Sequence, residues 1–359
     1  MQLIVVGTGP LGSLIAAYLA KARIDVGLVD QPGERTDQIA MRELNVTGFR
    51  GDFTVSVPVM PFSSLSTLPV PEYALICLHP DRLDETIRSL VNAFGNATTI
   101  VQFTSGLSQL TLHSPAEAQA CIGAVANFEC RLLDDGKVET DFHNFIWLGE
   151  FDSSHSSRLQ KLQHILSHVA PTFMTQVIEG MIWSKAIYSV EVCLGSLVDA
   201  PPKMIFDKAV YRRLAAGLVR ENIALATAAG VTPIAFDFFD PNLYQALNPK
   251  QGAVTDVWIK NAWLRHEQFR VGLDHPFANQ VGLTWLLSPT NPHQEAAHLF
   301  RGLAQEASRL HFQMPLTERL AALHAAIRAG EGQLGWENLA LLESFRQESA
   351  IEVPYPEIG

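Results

Sequence analysis

Gly7, Gly9 and Gly12 stand at the G-x-G-x-x-G spacing in Gly7-Thr8-Gly9-Pro10-Leu11-Gly12, and an acid, Asp30, follows eighteen residues after the third glycine. These residue types at this spacing suit a dinucleotide. Gly7 permits a tight turn, Gly9 lets the backbone approach a pyrophosphate, and Gly12 lets a helix pack closely on a strand. An anion placed there meets backbone N–H groups that lack intrahelical partners and the positive end of the helix dipole. Pro10 fits the first helical turn, where the N–H it lacks would have had no partner. Asp30 would accept hydrogen bonds from the ribose hydroxyls of NAD and repel the 2′-phosphate of NADP.

Such a fingerprint has meaning only in context. Leu3 to Val6 is a short apolar run of the kind that forms a buried parallel strand, and Leu14, Ile15, Tyr18 and Leu19 recur at helical spacing. Val26, Leu28 and Val29 begin a second strand that ends on Asp30. The order strand, glycine turn, helix, strand, acid is therefore complete, and the competing reading of a glycine turn with no ligand is the weaker one.

The alternation continues. Strands are expected over Leu44 to Val46, Phe53 to Val57, Tyr73 to Leu78, Thr98 to Phe103 and Cys121 to Val125, with a Pro- and Ser-rich connection from Pro58 to Pro71 and a helix from Pro80 to Phe94. Lys137 to Asp141 and Asn144 to Leu148 read as an antiparallel finish, and Phe173 to Ile178 as a last strand after a helix from Ser156 to Val169. Beyond it, helical periodicity dominates. Helices are expected over Gly180 to Ala200, Asp207 to Ala229, Gly252 to Val271, Gln280 to Leu287, Gln294 to Leu310, Leu316 to Ala329 and Trp336 to Glu348. The fold class expected is an α/β Rossmann domain with a doubly wound parallel sheet over residues 1–178, followed by an all-α domain over 179–359 that takes substrate and offers a dimer surface.

Composition agrees. A chain of 359 residues, 47% hydrophobic and 18% charged, suits two soluble domains, and a net charge of −11 argues against nucleic acid or an anionic membrane as partner. Cys77, Cys121, Cys130 and Cys193 form no C-x-x-C pair and read as reduced thiols of the cytoplasm. His164 and His168 lie four apart on a predicted helix but lack the H-E-x-x-H acid and a third ligand, so no metal is expected.

The chain resembles the ketopantoate reductase (2-dehydropantoate 2-reductase) family. The anchors are the glycine motif, Ser105-Gly106-Leu107, Trp183-Ser184-Lys185, Arg220-Glu221 followed by Ala228-Ala229-Gly230-Val231, and Gln294-Glu295 upstream of Pro315. The resemblance implies a helical domain like that of 6-phosphogluconate dehydrogenase, with the cofactor on the Rossmann domain and substrate in a cleft. It implies that Lys185 donates a proton to a substrate ketone and that Glu295 engages the substrate hydroxyl and the lysine. An ammonium group suits the negative charge that builds on oxygen during hydride delivery. Read without the resemblance, Lys185 is a surface lysine at a helix start, and Glu295 is an acid in a first helical turn, ordinary capping chemistry.

The departures bear on substrate and cofactor. Ser105, Ser189 and Cys193 stand where the family usually has asparagines, Thr284 stands at its substrate-binding serine, and Ala297 replaces an aspartate. A hydroxyl lacks the separate donor and acceptor arms of an amide, so the substrate pocket is read as rebuilt, for a 2-oxo or 2-hydroxy acid other than ketopantoate. Gln31 and His79 occupy the places of the arginine and lysine that hold the 2′-phosphate of NADPH in the family. NAD is therefore the expected cofactor, with NADP still open through Arg35. The segment between Val231 and Thr284 is longer than usual and carries Trp258, Lys260, Trp263, Arg265, His266 and Arg270, with Trp285 just beyond; it reads as an amphipathic helix or, alternatively, a lid. Two other readings stay open, a genuine NADPH-dependent 2-dehydropantoate 2-reductase and a dinucleotide-binding sensor without catalysis.

Overall fold

The computed structural model describes residues 1–48, 50–103, 106–110, 120–126, 130–140, 145–198, 202–235, 239–246, 257, 260 and 293–348. The chain divides into two compact units, Met1–Glu179 and Gly180–Gly359.

The first unit is built on an eight-stranded sheet in the order β12-β11-β8-β7-β6-β1-β2-β5. Inside it lies β1 (Leu3–Val6), parallel to β2 (Val26–Asp30) on one side and β6 (Tyr73–Ile76) on the other. All four β1 residues are fully buried because the sheet is covered on both faces. Leu3 and Val5 join the core under α1 (Pro10–Lys21), while Ile4 and Val6 join the core beneath α3 (Leu83–Phe94). Here α2 is Glu34–Arg42. The parallel run continues through β7 (Thr99–Gln102) and β8 (Cys121–Ala126). It ends on β11 (Ile146–Glu150), antiparallel to β8, and β12 (Thr172–Met174), with α4 (Ser157–Leu166) packed beside them.

Three local expectations are corrected. The Pro- and Ser-rich connection contains β5 (Val59–Pro61), parallel to β2 at the sheet edge. An edge strand needs one ladder only, so proline does not exclude it. β10 (Val138–Thr140) and β11 do not pair as an antiparallel finish. β10 belongs to a separate four-stranded sheet, β4-β3-β10-β9, made with β3 (Leu44–Gly48), β4 (Phe53–Val55) and β9 (Cys130–Leu132). The reason is burial on alternate residues: Val138 and Thr140 turn inward, and Glu139 turns out to an ion pair with Arg131. The strand expected to run from Phe53 to Val57 stops at Val55.

The second unit is helical among its described residues. α5 (Ile178–Val192) begins at the last residues of the first unit and tightens into a 3-10 turn at Gly195–Leu197, so the helix expected to reach Ala200 ends earlier. α6 (Pro202–Phe206), α7 (Ala209–Ala228) and α8 (Pro241–Ala246) follow, then α9 (His293–Leu310), α10 (Pro315–Ala329) and α11 (Trp336–Glu348). Gly230 just past α7 has φ +79°, the left-handed conformation that ends helices at little cost to glycine. Glu221, 3% exposed, accepts from Leu316 N–H at 3.0 Å, Thr317 N–H at 2.7 Å and the Thr317 hydroxyl at 2.6 Å, and so ties α7 to the start of α10. The expected helices at 252–271 and 280–287 lie outside the described residues, save for helical backbone at 257 and 260.

Candidate active site

The glycine turn sits at the carboxyl end of β1, where strand order reverses between β2 and β6. Ligands of open α/β sheets bind at such points. Gly7 has φ +118°, and a Cβ there would lie 2.4 Å from the Cys77 carbonyl oxygen. A Cβ on Gly12 would lie 2.1 Å from the Gly7 carbonyl oxygen. Those two glycines are required by packing. Gly9 differs: its backbone is extended, it is exposed, and an added Cβ would meet nothing within 4 Å. Packing gives no reason for glycine at that position, and a ligand lying against the backbone does. Leu11 and Gly12 N–H precede the first intrahelical bond, Ser13 N–H to Gly9 O at 2.9 Å, and no side chain caps the helix. The loop thus has the open anion cradle that a dinucleotide pyrophosphate requires.

Asp30 is joined to this turn through Thr8. Its Oδ2 accepts from Thr8 N–H at 2.8 Å and from the Thr8 hydroxyl at 2.9 Å; its Oδ1 accepts from Gln31 N–H at 2.8 Å and from Arg82 Nη1 at 3.1 Å. Burial alone would raise the carboxyl pKa, but the bonds from Thr8, Gln31 and Arg82 together hold it below the usual carboxylate value. Gln31 is exposed, and His79 lies near Asp81, Nδ1 to Oδ2 3.6 Å. Arg35 does not reach toward Asp30. Its Nη1 donates to the Gly136 carbonyl at 2.7 Å, its Nε and Nη2 point to Thr8 O and Ser13 Oγ at 3.5 Å, and burial lowers its pKa. Arg82 is the cation that sequence reasoning missed. It lies in the turn between β6 and α3, and only the fold brings it to Asp30 across 52 positions.

Lys185 lies on α5 among buried neighbours: Trp183, Ser184, Ala186 and Ile187 are at most 1% exposed. The partly accessible residues are Lys185, Tyr188, Ser189 and Val192, spaced three and four apart along one face. Ser189 donates to the Lys185 carbonyl at 2.8 Å. Cys193 is 2% exposed and turns into the core, so Tyr188 and Val192 share the open face instead of the cysteine that the resemblance suggested. Ser184 accepts from Ile234 N–H at 2.8 Å, pinning the chain after α7 to this helix. Behind the open face, the Tyr244 hydroxyl donates to buried Glu191 at 2.9 Å, and burial with the Glu191 charge pushes the phenol well above its ordinary pKa. The backbone of Glu295 is in the first turn of α9. Its side chain, Ser105, Thr284 and the aromatic and basic residues 258, 263, 265, 266, 270 and 285 lie outside the described residues.

Residues 3–153 match the family model described as ketopantoate reductase PanE/ApbA. The N-terminal domain belongs to the ketopantoate reductase family. Among solved structures, the chain is similar to 2-dehydropantoate 2-reductase from Geobacter metallireducens, with TM-score 0.70 and 23% identity over 91% of this chain and 100% of that one. It is likewise similar to D-mandelate dehydrogenase in complex with NADH and anilino(oxo)acetate, with TM-score 0.70 and 14% identity over 92% and 99%. A third, the PanE/ApbA family ketopantoate reductase of Ralstonia eutropha JMP134, has TM-score 0.67 and 16% identity over 92% and 99%. These likenesses extend the ketopantoate reductase fold, Rossmann domain followed by helical domain, over nearly the whole chain. Cys77, Cys121, Cys130 and Cys193 are not joined in disulfides, and among the described residues no helix is long and apolar enough to cross a membrane.

Proposed function

We propose that this chain is a nicotinamide-dependent oxidoreductase acting on a 2-oxo or 2-hydroxy acid. The observation that carries the reading is the open face of α5, where a lysine is held on a helix whose neighbouring residues are buried. The Gly7–Gly12 turn and the amides at the start of α1 would hold the pyrophosphate, with Asp30 toward the adenosine ribose. The bound nicotinamide supplies or accepts the hydride at the carbonyl carbon. Lys185 gives its proton to the ketone oxygen as the alcohol forms, and takes that proton back in the reverse direction. Glu295 is proposed as the carboxylate that orients the lysine. The proposed domain assignment is cofactor binding on 1–178 and substrate binding, with a homodimer contact, on 179–359, in the cytoplasm.

Gln31 and His79 in place of two cations support NAD over NADP. The substituted helix position Ser189, on the open face, supports an acid other than ketopantoate. A neighbour of the same fold acts on mandelate and was solved with NADH, which supports a bulky 2-hydroxy acid here. The likeness to a 2-dehydropantoate 2-reductase keeps ketopantoate reduction with NADPH as the second reading. The test is a parallel fluorescence titration with NADH and NADPH, followed by a turnover screen of 2-oxo and 2-hydroxy acids with the wild type and Lys185→Met. The reading expects dinucleotide binding by both proteins and loss of turnover, by at least about a hundredfold, in the variant. Full turnover by Lys185→Met would end it, and tight NADPH binding with ketopantoate as best substrate would select the second reading.

A further inference from the structure

The Asp30 carboxylate is already fully engaged. A carboxylate offers about four lone-pair positions, and Asp30 receives four donors: Thr8 N–H, Thr8 hydroxyl, Gln31 N–H and Arg82 Nη1. A ribose can bond to it only by displacing one of them. The two backbone donors are fixed by the glycine turn and the end of β2. The Thr8 hydroxyl is on a residue 5% exposed. Arg82 is the replaceable donor, since its side chain is 34% exposed against 14% for Asp30 and its bond of 3.1 Å is the longest of the four.

The displaced guanidinium remains beside the ribose, because it is tethered in the turn that precedes α3. With NADH it gains nothing from the exchange. With NADPH it meets a phosphate, whose oxygens match the planar fork of donors on arginine. The same guanidinium offsets the Asp30 charge that would otherwise repel that phosphate. Arg35 is not available for this part, since its donors are directed at Gly136, Thr8 and Ser13.

We propose that Arg82 is the cofactor-specificity residue of this chain, giving up Asp30 to the ribose and holding a 2′-phosphate, so that NADPH is accepted alongside NADH. The proposal rests on the dinucleotide reading above and concerns which dinucleotide the site takes.

The experiment is a fluorescence titration of the full chain with NADH and with NADPH at low and high salt, for wild type, Arg82→Gln and Arg82→Lys, with 2′,5′-ADP and 5′-AMP as competitors. Wild type should bind both dinucleotides. Arg82→Gln should weaken NADPH by about tenfold or more and should not weaken NADH, whose ribose no longer competes with the guanidinium for Asp30. Arg82→Lys should fall between them, since the charge stays and the fork is lost. In the wild type the NADPH affinity should fall more steeply with salt than the NADH affinity, a reading that needs no variant to fold. An unchanged NADPH to NADH ratio in Arg82→Gln, or equal salt dependence in the wild type, overturns the assignment. Wild type that binds neither dinucleotide removes the parent reading and this one with it, a result distinct from binding without discrimination by Arg82.

Discussion

Ser189 donates its hydroxyl hydrogen to the carbonyl of Lys185, 2.8 Å away and one turn earlier on the same helix. A serine so placed bonds to its own helix and has only its acceptor lone pairs left for a ligand. An asparagine here would extend past that carbonyl with both a donor and an acceptor. Ser189→Ala is therefore expected to leave thermal stability within about 0.5 kcal/mol of wild type. Ser189→Asn should raise kcat/KM for ketopantoate relative to bulkier 2-oxo acids. Turnover ratios across an acid panel check this, and an asparagine variant with the wild-type ratios would show that the position does not face substrate.

Gly9 and Gly12 separate a ligand's demand from that of the fold. Gly9→Ala adds a methyl that meets no protein atom within 4 Å, whereas Gly12→Ala places one 2.1 Å from a backbone oxygen. Gly9→Ala should melt within about 2 °C of wild type yet bind NADH at least about tenfold more weakly. Gly12→Ala should lower the melting temperature outright, since backbone must shift to admit the methyl. Calorimetry and titration of the same two variants decide it; equal NADH affinity in Gly9→Ala and wild type would mean the turn does not cradle the cofactor.

The first thirty residues showed their structure in advance because everything there is local: one apolar run, one glycine turn and one helix period. β5 was hidden by composition, since Pro61 and the serines after it resemble a loop and only pairing with β2 makes Val59–Pro61 a strand. The separation of β10 from β11 was hidden because two neighbouring apolar stretches look like a hairpin until their partners are known. Arg82 carries no sequence signal toward Asp30, and the turn after β6 alone delivers it. Tyr188 belongs to no motif legible in the sequence; its place becomes visible once burial isolates the open face of α5. The order strand-turn-helix was thus readable, and the long-range polar contacts that tune the site were not.

Arg35 supplies the control for Arg82. Its Nη1 bond to the Gly136 carbonyl connects α2 to the turn between β9 and β10, a structural tie within the first unit. Arg35→Ala should lose about 1–2 kcal/mol of stability, from one charge-assisted bond and the lost packing of its stem. The ratio of NADPH to NADH affinity should not move. A changed ratio, measured by the same titration, would return this arginine to the cofactor site.

Glu221 gives the second unit a pH signature. Burial raises its pKa above the ordinary glutamate value, against the opposing bonds from Thr317 and Leu316. A raised pKa means the folded state binds the proton more tightly than the unfolded chain, so the contribution is fully present below the unfolded pKa. It is lost as pH rises from there through the raised folded value. The amide of Glu221→Gln keeps an acceptor for α10 and does not titrate, so the variant lacks this slope. Wild type should therefore lose stability relative to Glu221→Gln as pH climbs from the ordinary glutamate range toward neutrality. Glu221→Ala, which leaves the Leu316 and Thr317 N–H groups without their acceptor, should cost about 2–4 kcal/mol at low pH and less as pH rises. Denaturant melts at a series of pH values test both statements, and parallel curves for wild type and Glu221→Gln would refute the linkage.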